Sequence, residues 1–191
     1  MTAATEAPLQ PASEEKASPS AVRSLVEWVL TIVGALAVAL LVQAFLFQPF
    51  FIPSASMVPT LEIHDRVLVN KLSYRLHDVR RGDIVVFERS SDDPGTIRDL
   101  IKRVVAVEGD TIESRGETLY INDKPVQEPY RRIPSLGAPV SRRTLDQHQV
   151  FVMGDNRTDS TDSRFFGPIE EDRIVGRAFV KFWPLGDLGL L

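Results

Sequence analysis

The chain of 191 residues contains no cysteine. That excludes a disulfide scaffold, a thiolate zinc site, an iron–sulfur cluster and a cysteine nucleophile. Histidine is scarce, with three residues, which leaves little for a histidine-rich metal site. Positive charge is outweighed. The 22 Lys and Arg stand against 26 Asp and Glu, a net charge of −4, so the basic footprint that general nucleic-acid binding needs is missing. There is no internal repeat and no Gly-x-Ser-x-Gly nucleophile elbow.

What is present is unevenly spread. Residues Met1 to Ser20 carry Pro8, Pro11 and Pro19, with Ala, Ser and Glu and no aromatic residue. Such a stretch buries too little apolar surface to offset its ordering entropy and reads as a disordered tail. From Trp28 to Phe47 the chain has no charge and one strongly polar side chain, Gln43. A helix of about 20 residues spans roughly 30 Å, the thickness of a bilayer core. Trp28 marks one end, and Phe45, Phe47, Phe50 and Phe51 mark the other. A cleaved signal peptide has a shorter apolar core and a basic start. A buried helix in so small a protein is rarely apolar on every face. Residues 28–47 therefore read as a transmembrane helix behind a tail of residues 1–27. Lys16 and Arg23 precede it, and the next basic residue is Arg66, which favours a cytoplasmic N-terminus and an extracytoplasmic remainder.

After Pro53 the pattern turns to short β-like runs separated by turn signals. The runs are 66–70, 83–88, 99–107, 118–121, a partner from Pro125, 150–153 and 174–183. Asp93-Pro94-Gly95 and Asn122-Asp123-Lys124 supply turns. The expectation is a mostly β protein, in which one transmembrane helix precedes an antiparallel β-sheet domain over 48–191, with a small β or loop excursion near 111–148. Within that excursion, 128–148 carries three prolines and two arginine pairs. It reads as a long surface loop whose charge could face anionic lipid.

Three features draw attention to chemistry. Pro53-Ser-Ala-Ser-Met-Val-Pro-Thr-Leu61 follows the apolar helix directly. Lys102 lies inside an apolar strand, and Gly154 to Arg164 is a dense polar run behind a buried-looking strand. The segment 53–61, Arg-Gly-Asp-Ile-Val-Val-Phe at 81–87, Ile-Lys-Arg-Val-Val-Ala-Val-Glu-Gly-Asp at 101–110, and Gly-Asp-Asn-Arg at 154–157 with Ser160 and Asp-Ser-Arg at 162–164 together resemble the successive boxes of bacterial type I signal peptidases. Order, spacing and the preceding anchor all fit, and the resemblance covers most of 28–183. Ala55 stands where the family commonly has glycine, and one anchor helix is present where some members have two.

The resemblance implies a membrane-bound serine endopeptidase that removes signal peptides from exported precursors after small residues, of the Ala-x-Ala type. It maps Ser56 to the nucleophile and Lys102 to the general base. Ser54 maps to the side-chain donor of an oxyanion hole, beside the Ser56 N–H. Ser160 maps to a hydroxyl that orients the lysine, and Asp162 and Arg164 to an ion pair beneath the site. Phe50, Ile52, Met57, Leu61, Leu100 and Ile101 map around shallow pockets for small residues at the first and third positions before the cut. No cofactor or metal is implied. The implied partners are signal peptides, membrane lipid and the export machinery, and the implied location is the plasma (inner) membrane.

The chemistry is demanding. A free lysine, with a pKa of about 10.4, is almost wholly protonated at neutral pH. A useful base needs roughly 7–8, which corresponds to about 4 kcal/mol. Desolvation can supply that. On a regular strand Leu100, Val104 and Ala106 share the face of Lys102. Taken alone, Lys102-Arg103 also fits a pair of surface charges. Asp155, Asp159 and Asp162 suggest calcium until Arg157 is seen where an oxygen ligand is needed. His64 invites a serine–histidine reading, and Ser13-Glu-Glu-Lys16 a Ser-x-x-Lys pattern within the tail. Two other functions compete. A self-cleaving repressor of related chemistry would need a DNA-binding domain, for which 27 residues before the helix are too few. A membrane-tethered β scaffold would need neither Ser56 nor Lys102.

Overall fold

The computed structural model describes residues 21–89 and 98–191. The expected tail through Ser20, the Ser13–Lys16 pattern and the turn at Asp93-Pro94-Gly95 lie outside the described residues. The chain divides into two units, residues 1–41 and 42–191.

Helix α1, Ala21–Leu46, begins at Ala21 rather than at Trp28. Its first turns hold an Arg23–Glu27 pair at 3.1 Å, spaced i,i+4, so the charges near its start continue the helix instead of ending it. Val22–Val42 is long and apolar enough to cross a membrane.

Among the described residues twelve strands follow. In chain order they are β1 Phe47–Phe51, β2 Arg66–Asn70, β3 Ile84–Glu88, β4 Asp99–Ala106, β5 Thr111–Arg115, β6 Thr118–Ile121, β7 Lys124–Pro125, β8 Arg143–Thr144, β9 Gln149–Met153, β10 Ile169–Glu170, β11 Ile174–Trp183 and β12 Gly189–Leu190. The main sheet runs β1-β2-β11-β3-β4-β9-β10, with β12 on β11. Every pairing is antiparallel. The excursion is a second sheet, β7-β6-β5-β8. Strand β1 falls where the sequence suggested aromatic residues at a membrane interface. Its five residues pair in full with β2.

Strand β3 shows why its run is apolar without alternation. Ile84 and Val86 enter one core cluster, with Ile52, Met57, Leu61, Val67, Val69 and Ala178. Val85 and Phe87 enter the cluster on the other face, with Val79, Val104, Val150, Val152 and Ile169. A strand covered on both faces needs no polar positions. A third cluster joins Ile112, Leu119 and Ile121 of the excursion to Val105, Ala106, Phe151 and Met153 of the main sheet. The excursion is thereby packed onto the strands that precede the polar run. Asn122 and Asp123 have positive φ, 52° and 61°, the conformation a two-residue hairpin turn demands.

Candidate active site

The loop carrying Ser56 leaves β1 at Phe51. Ile52 exchanges backbone bonds with its far end, donating to Asp65 O at 2.9 Å and accepting from His64 N at 2.9 Å. A 3₁₀ turn, Ala55–Met57, follows Ser54. Val58 N closes it onto Ala55 O at 3.1 Å, and Leu61 N donates to Met57 O at 3.0 Å. Ile52, Met57 and Leu61 are fully buried, so hydrophobic burial pins both ends of the turn while Ser54 stays exposed.

Lys102 comes from β4. Its cross-strand partner is Val85, and Leu100 faces Phe87, so strand alternation puts Leu100, Lys102 and Val104 on the apolar face with Val85 and Phe87. Ala106 does not share that face. The register with β9 shifts between Val104 and Ala106, and a bulge of one residue inverts the alternation. Ala106 accordingly joins the cluster of Phe151 and Met153. Arg103 is turned away from Lys102 by the same alternation and is no surface companion to it. Its Nε and Nη2 donate to Asp155 Oδ1 at 2.8 Å and Oδ2 at 2.7 Å. Thr60 Oγ1 also donates to Asp155, at 2.5 Å.

The two elements bring Lys102 Nζ to 2.8 Å from Ser56 Oγ and 2.9 Å from Ile101 O. Lys102 is 3% exposed. Burial lowers its pKa to about 8, against a smaller opposing effect of the Asp162 charge. Between about 8 and the 10.5 of an unburied lysine, the unfolded chain holds this proton and the folded chain does not. The contribution of Lys102 to stability therefore rises with pH across that window. Ser54 Oγ lies 3.4 Å from Ser56 Oγ. His64 is exposed, with its ring 5.7 Å from that of Phe51.

The polar run after β9 braces the turn that carries Ser56. Asn156 N donates to Ser56 O at 3.0 Å, and Asn156 Nδ2 to Ala55 O at 3.1 Å. Gly154 lies so close that a Cβ there would sit 2.5 Å from Ser56 O and collide with Ser160, so the position tolerates no side chain. Asp162 is fully buried. It accepts from Gly154 N at 2.9 Å, Ser160 Oγ at 2.8 Å, and Arg164 Nε and Nη2 at 2.7 and 2.8 Å. Ser160 thus donates its hydroxyl proton to Asp162. Asp155 and Asp162 are each engaged by an arginine, and among the described residues no group of three His, Asp or Glu could hold a metal. The sequence alone assigns Gly154 and Asn156 no role of their own, and suggests Asp155 only as a calcium ligand, although all three lie in the Gly-Asp-Asn-Arg segment. Only the contact across 100 residues of chain reveals what Asn156 does.

Of the residues mapped to substrate pockets, Phe50, Ile52, Met57, Leu61 and Ile101 gather in one cluster. Leu100 does not join them. It lies on the opposite face of β4 and lines a cavity of about 130 Å³ with Phe87, Phe166 and Ile169.

The family model described as signal peptidase, peptidase S26, matches residues 25–183. The chain is 37% identical to signal peptidase I of Leptolyngbya laminosa, over 96% of this chain and 91% of that one. It is 37% identical to a probable signal peptidase I-2 of Synechocystis sp., over 98% and 86% of the two chains. It is 34% identical to signal peptidase IB of Staphylococcus aureus, over 86% and 93%. A solved signal peptidase I from Enterococcus faecalis V583 is 30% identical, with a TM-score of 0.42, over 53% of this chain and 97% of that one. With a buried serine–lysine contact on an interior strand of an antiparallel sheet and a family match spanning the apolar helix and the β unit, the chain belongs to the signal peptidase family, peptidase S26, and is a signal peptidase, a serine protease.

Proposed function

We propose that Ser56 is the nucleophile and Lys102 the general base of a serine endopeptidase that cuts signal peptides after Ala-x-Ala sequences. The observation that carries this reading is the 2.8 Å contact between a desolvated lysine and a serine hydroxyl. The neutral amine takes the Ser56 Oγ proton as the oxygen attacks the scissile carbonyl. The developing oxyanion is met by the Ser54 hydroxyl and the Ser56 N–H. The protonated lysine gives its proton to the leaving amine. The amine base then activates water to hydrolyse the acyl-enzyme, which returns Ser56 to its starting state.

The register of β4 supports the mode of binding. Residues 99–102 pair with β3 on one side, while β9 pairs only from Arg103 onward. An extended substrate can add to that open edge by strand addition, sending alternate side chains inward. This accounts for a preference at the first and third positions before the cut with indifference between them. Phe50 and Ile101, partly buried against the cluster of Ile52, Met57 and Leu61, supply an apolar wall. The test is cleavage of a precursor with an Ala-x-Ala site by detergent-solubilised protein. Cleavage after the second alanine is expected, and Ser54→Ala should lower kcat by about 10²–10³-fold, the usual effect of losing one oxyanion donor. A rise in KM at constant kcat would assign Ser54 to binding instead.

We further propose that α1 anchors the chain in the plasma membrane, with residues beyond Pro53 on the extracytoplasmic side beside lipid and the export machinery. The support is the length and apolarity of Val22–Val42 and the basic residues before it. Protease added to intact spheroplasts should digest the β unit, and full protection would reverse the orientation.

A further inference from the structure

The excursion sheet delivers residues 128–131 to the back of the site. The Glu128 side chain is 4% exposed. Its carboxylate accepts from both terminal nitrogens of Arg157, from Arg131 Nη1 at 2.7 Å and from Tyr130 Oη at 2.9 Å. Burial opposes ionisation of Glu128, but the guanidinium groups outweigh it and hold the carboxyl below its ordinary range. Arg157 is itself fully buried, and its Nε donates to Gly154 O at 2.8 Å. Gly154 is the residue at which any Cβ would run into Ser56 O, and Asn156, between Gly154 and Arg157 on the same turn, holds Ala55 O and Ser56 O. One line of contacts thus runs from Glu128 through Arg157 to the nucleophile turn.

A second line runs to the lysine. The Arg103 guanidinium carbon lies 4.1 Å from the centre of the Tyr130 ring, within cation–π range. Arg103 adjoins Lys102 on β4, and its head is fixed on Asp155. The same excursion bonds to the second arginine of the polar run, with Leu136 O accepting from Arg164 Nη1.

We propose that Glu128 and Tyr130 are positioning residues, through which the excursion sets the distance between Ser56 Oγ and Lys102 Nζ. Glu128 neutralises Arg157 so that the guanidinium can hold the Gly154 turn, and Tyr130 packs the Arg103–Asp155 pair against β4. Neither residue touches the reacting atoms. The inference rests on the Ser56–Lys102 reading and assigns the excursion a task that its outline as a charged, proline-rich surface loop did not suggest. A shift of about 1 Å between reacting groups can cost about 10²-fold in rate, so loss of this hold should appear in turnover and not in substrate binding.

The experiment uses the full chain in detergent with the Ala-x-Ala precursor. Glu128→Gln should lower kcat by about 10–100-fold with KM within about twofold. That variant also strands Arg157, so a destabilised fold could produce the same loss. The double variant Glu128→Leu with Arg157→Met removes both charges, and replacing a buried ion pair by apolar groups is often neutral for stability. It should restore the melting temperature while kcat stays low, because nothing then donates to Gly154 O. Recovery of wild-type kcat together with the melting temperature would show that Glu128 is structural ballast and overturn the proposal. If the double variant does not fold, Tyr130→Leu decides. It takes the ring off Arg103 and removes one bond to Glu128, so a drop in kcat of about threefold or more at constant KM supports the proposal, and wild-type kcat overturns it. Arg115→Gln, in an exposed ion pair of the same excursion, should match the wild type. Turnover retained by Ser56→Ala would instead defeat the dyad reading, whatever Glu128 does.

Discussion

Alanine at Ser56 or at Lys102 should each reduce kcat/KM by about 10⁴-fold or more, and the double variant should be no worse than the more damaged single one, because a nucleophile and its base act as one unit. The reason lies in the 2.8 Å contact. Without Lys102 the Ser56 proton has no acceptor at that distance. Without Ser56 the amine has nothing to activate. The pH dependence follows from the same pair. Below about 8 the buried amine carries a proton and has no lone pair to offer. The kcat/KM profile should therefore rise through an apparent pKa near 8 and stay high into mildly alkaline solution, well above the ~6.5 of histidine. Lys102→Arg should be inactive, since a guanidinium keeps its proton at any usable pH. Turnover surviving in either alanine variant would remove the dyad. A profile rising near 6.5, together with loss of activity in His64→Ala, would move the base to histidine.

The second large effect is expected at Asp162. Its carboxylate balances an Arg164 side chain with no exposed surface and also ties down Gly154 N and Ser160 Oγ. Asp162→Ala leaves a buried guanidinium uncompensated, which costs about 3–5 kcal/mol. The melting temperature should fall on the order of 10 °C. The Asp162 charge also favours the protonated form of Lys102. The pH–rate profile of whatever activity remains should therefore shift toward acid. Adding Arg164→Met to Asp162→Leu should recover most of the stability, since the buried charge goes with its partner. A loss below about 1 kcal/mol on thermal or denaturant unfolding of Asp162→Ala would show the pair to be solvated and the assignment mistaken.

The apolar helix, the mostly antiparallel β character and the family were legible in the amino-acid order. Each depends on local periodicity or on short contiguous motifs. A run of uncharged apolar residues is a spanning candidate whatever else the chain does. Strands 66–70, 99–106 and 174–183 announce themselves through β-branched residues between turn formers. The Ser56 and Lys102 boxes could be found by resemblance because their residues are contiguous.

Tertiary structure alone decided the rest. It made β1 a paired strand where the sequence suggested interfacial aromatics, because pairing with β2 satisfies a backbone that side chains do not describe. It turned Ala106 away from Lys102, because one bulged residue reverses every later side chain. It tied Ser160 to Asp162. It also gave the 128–131 segment its partners, Arg157 and Arg103, which approach only when the excursion folds back on the main sheet. The desolvation that lowers the Lys102 pKa belongs to this second group as well. No residue type carries it, because it arises from the apolar groups that β3, β4 and β9 gather around one amine.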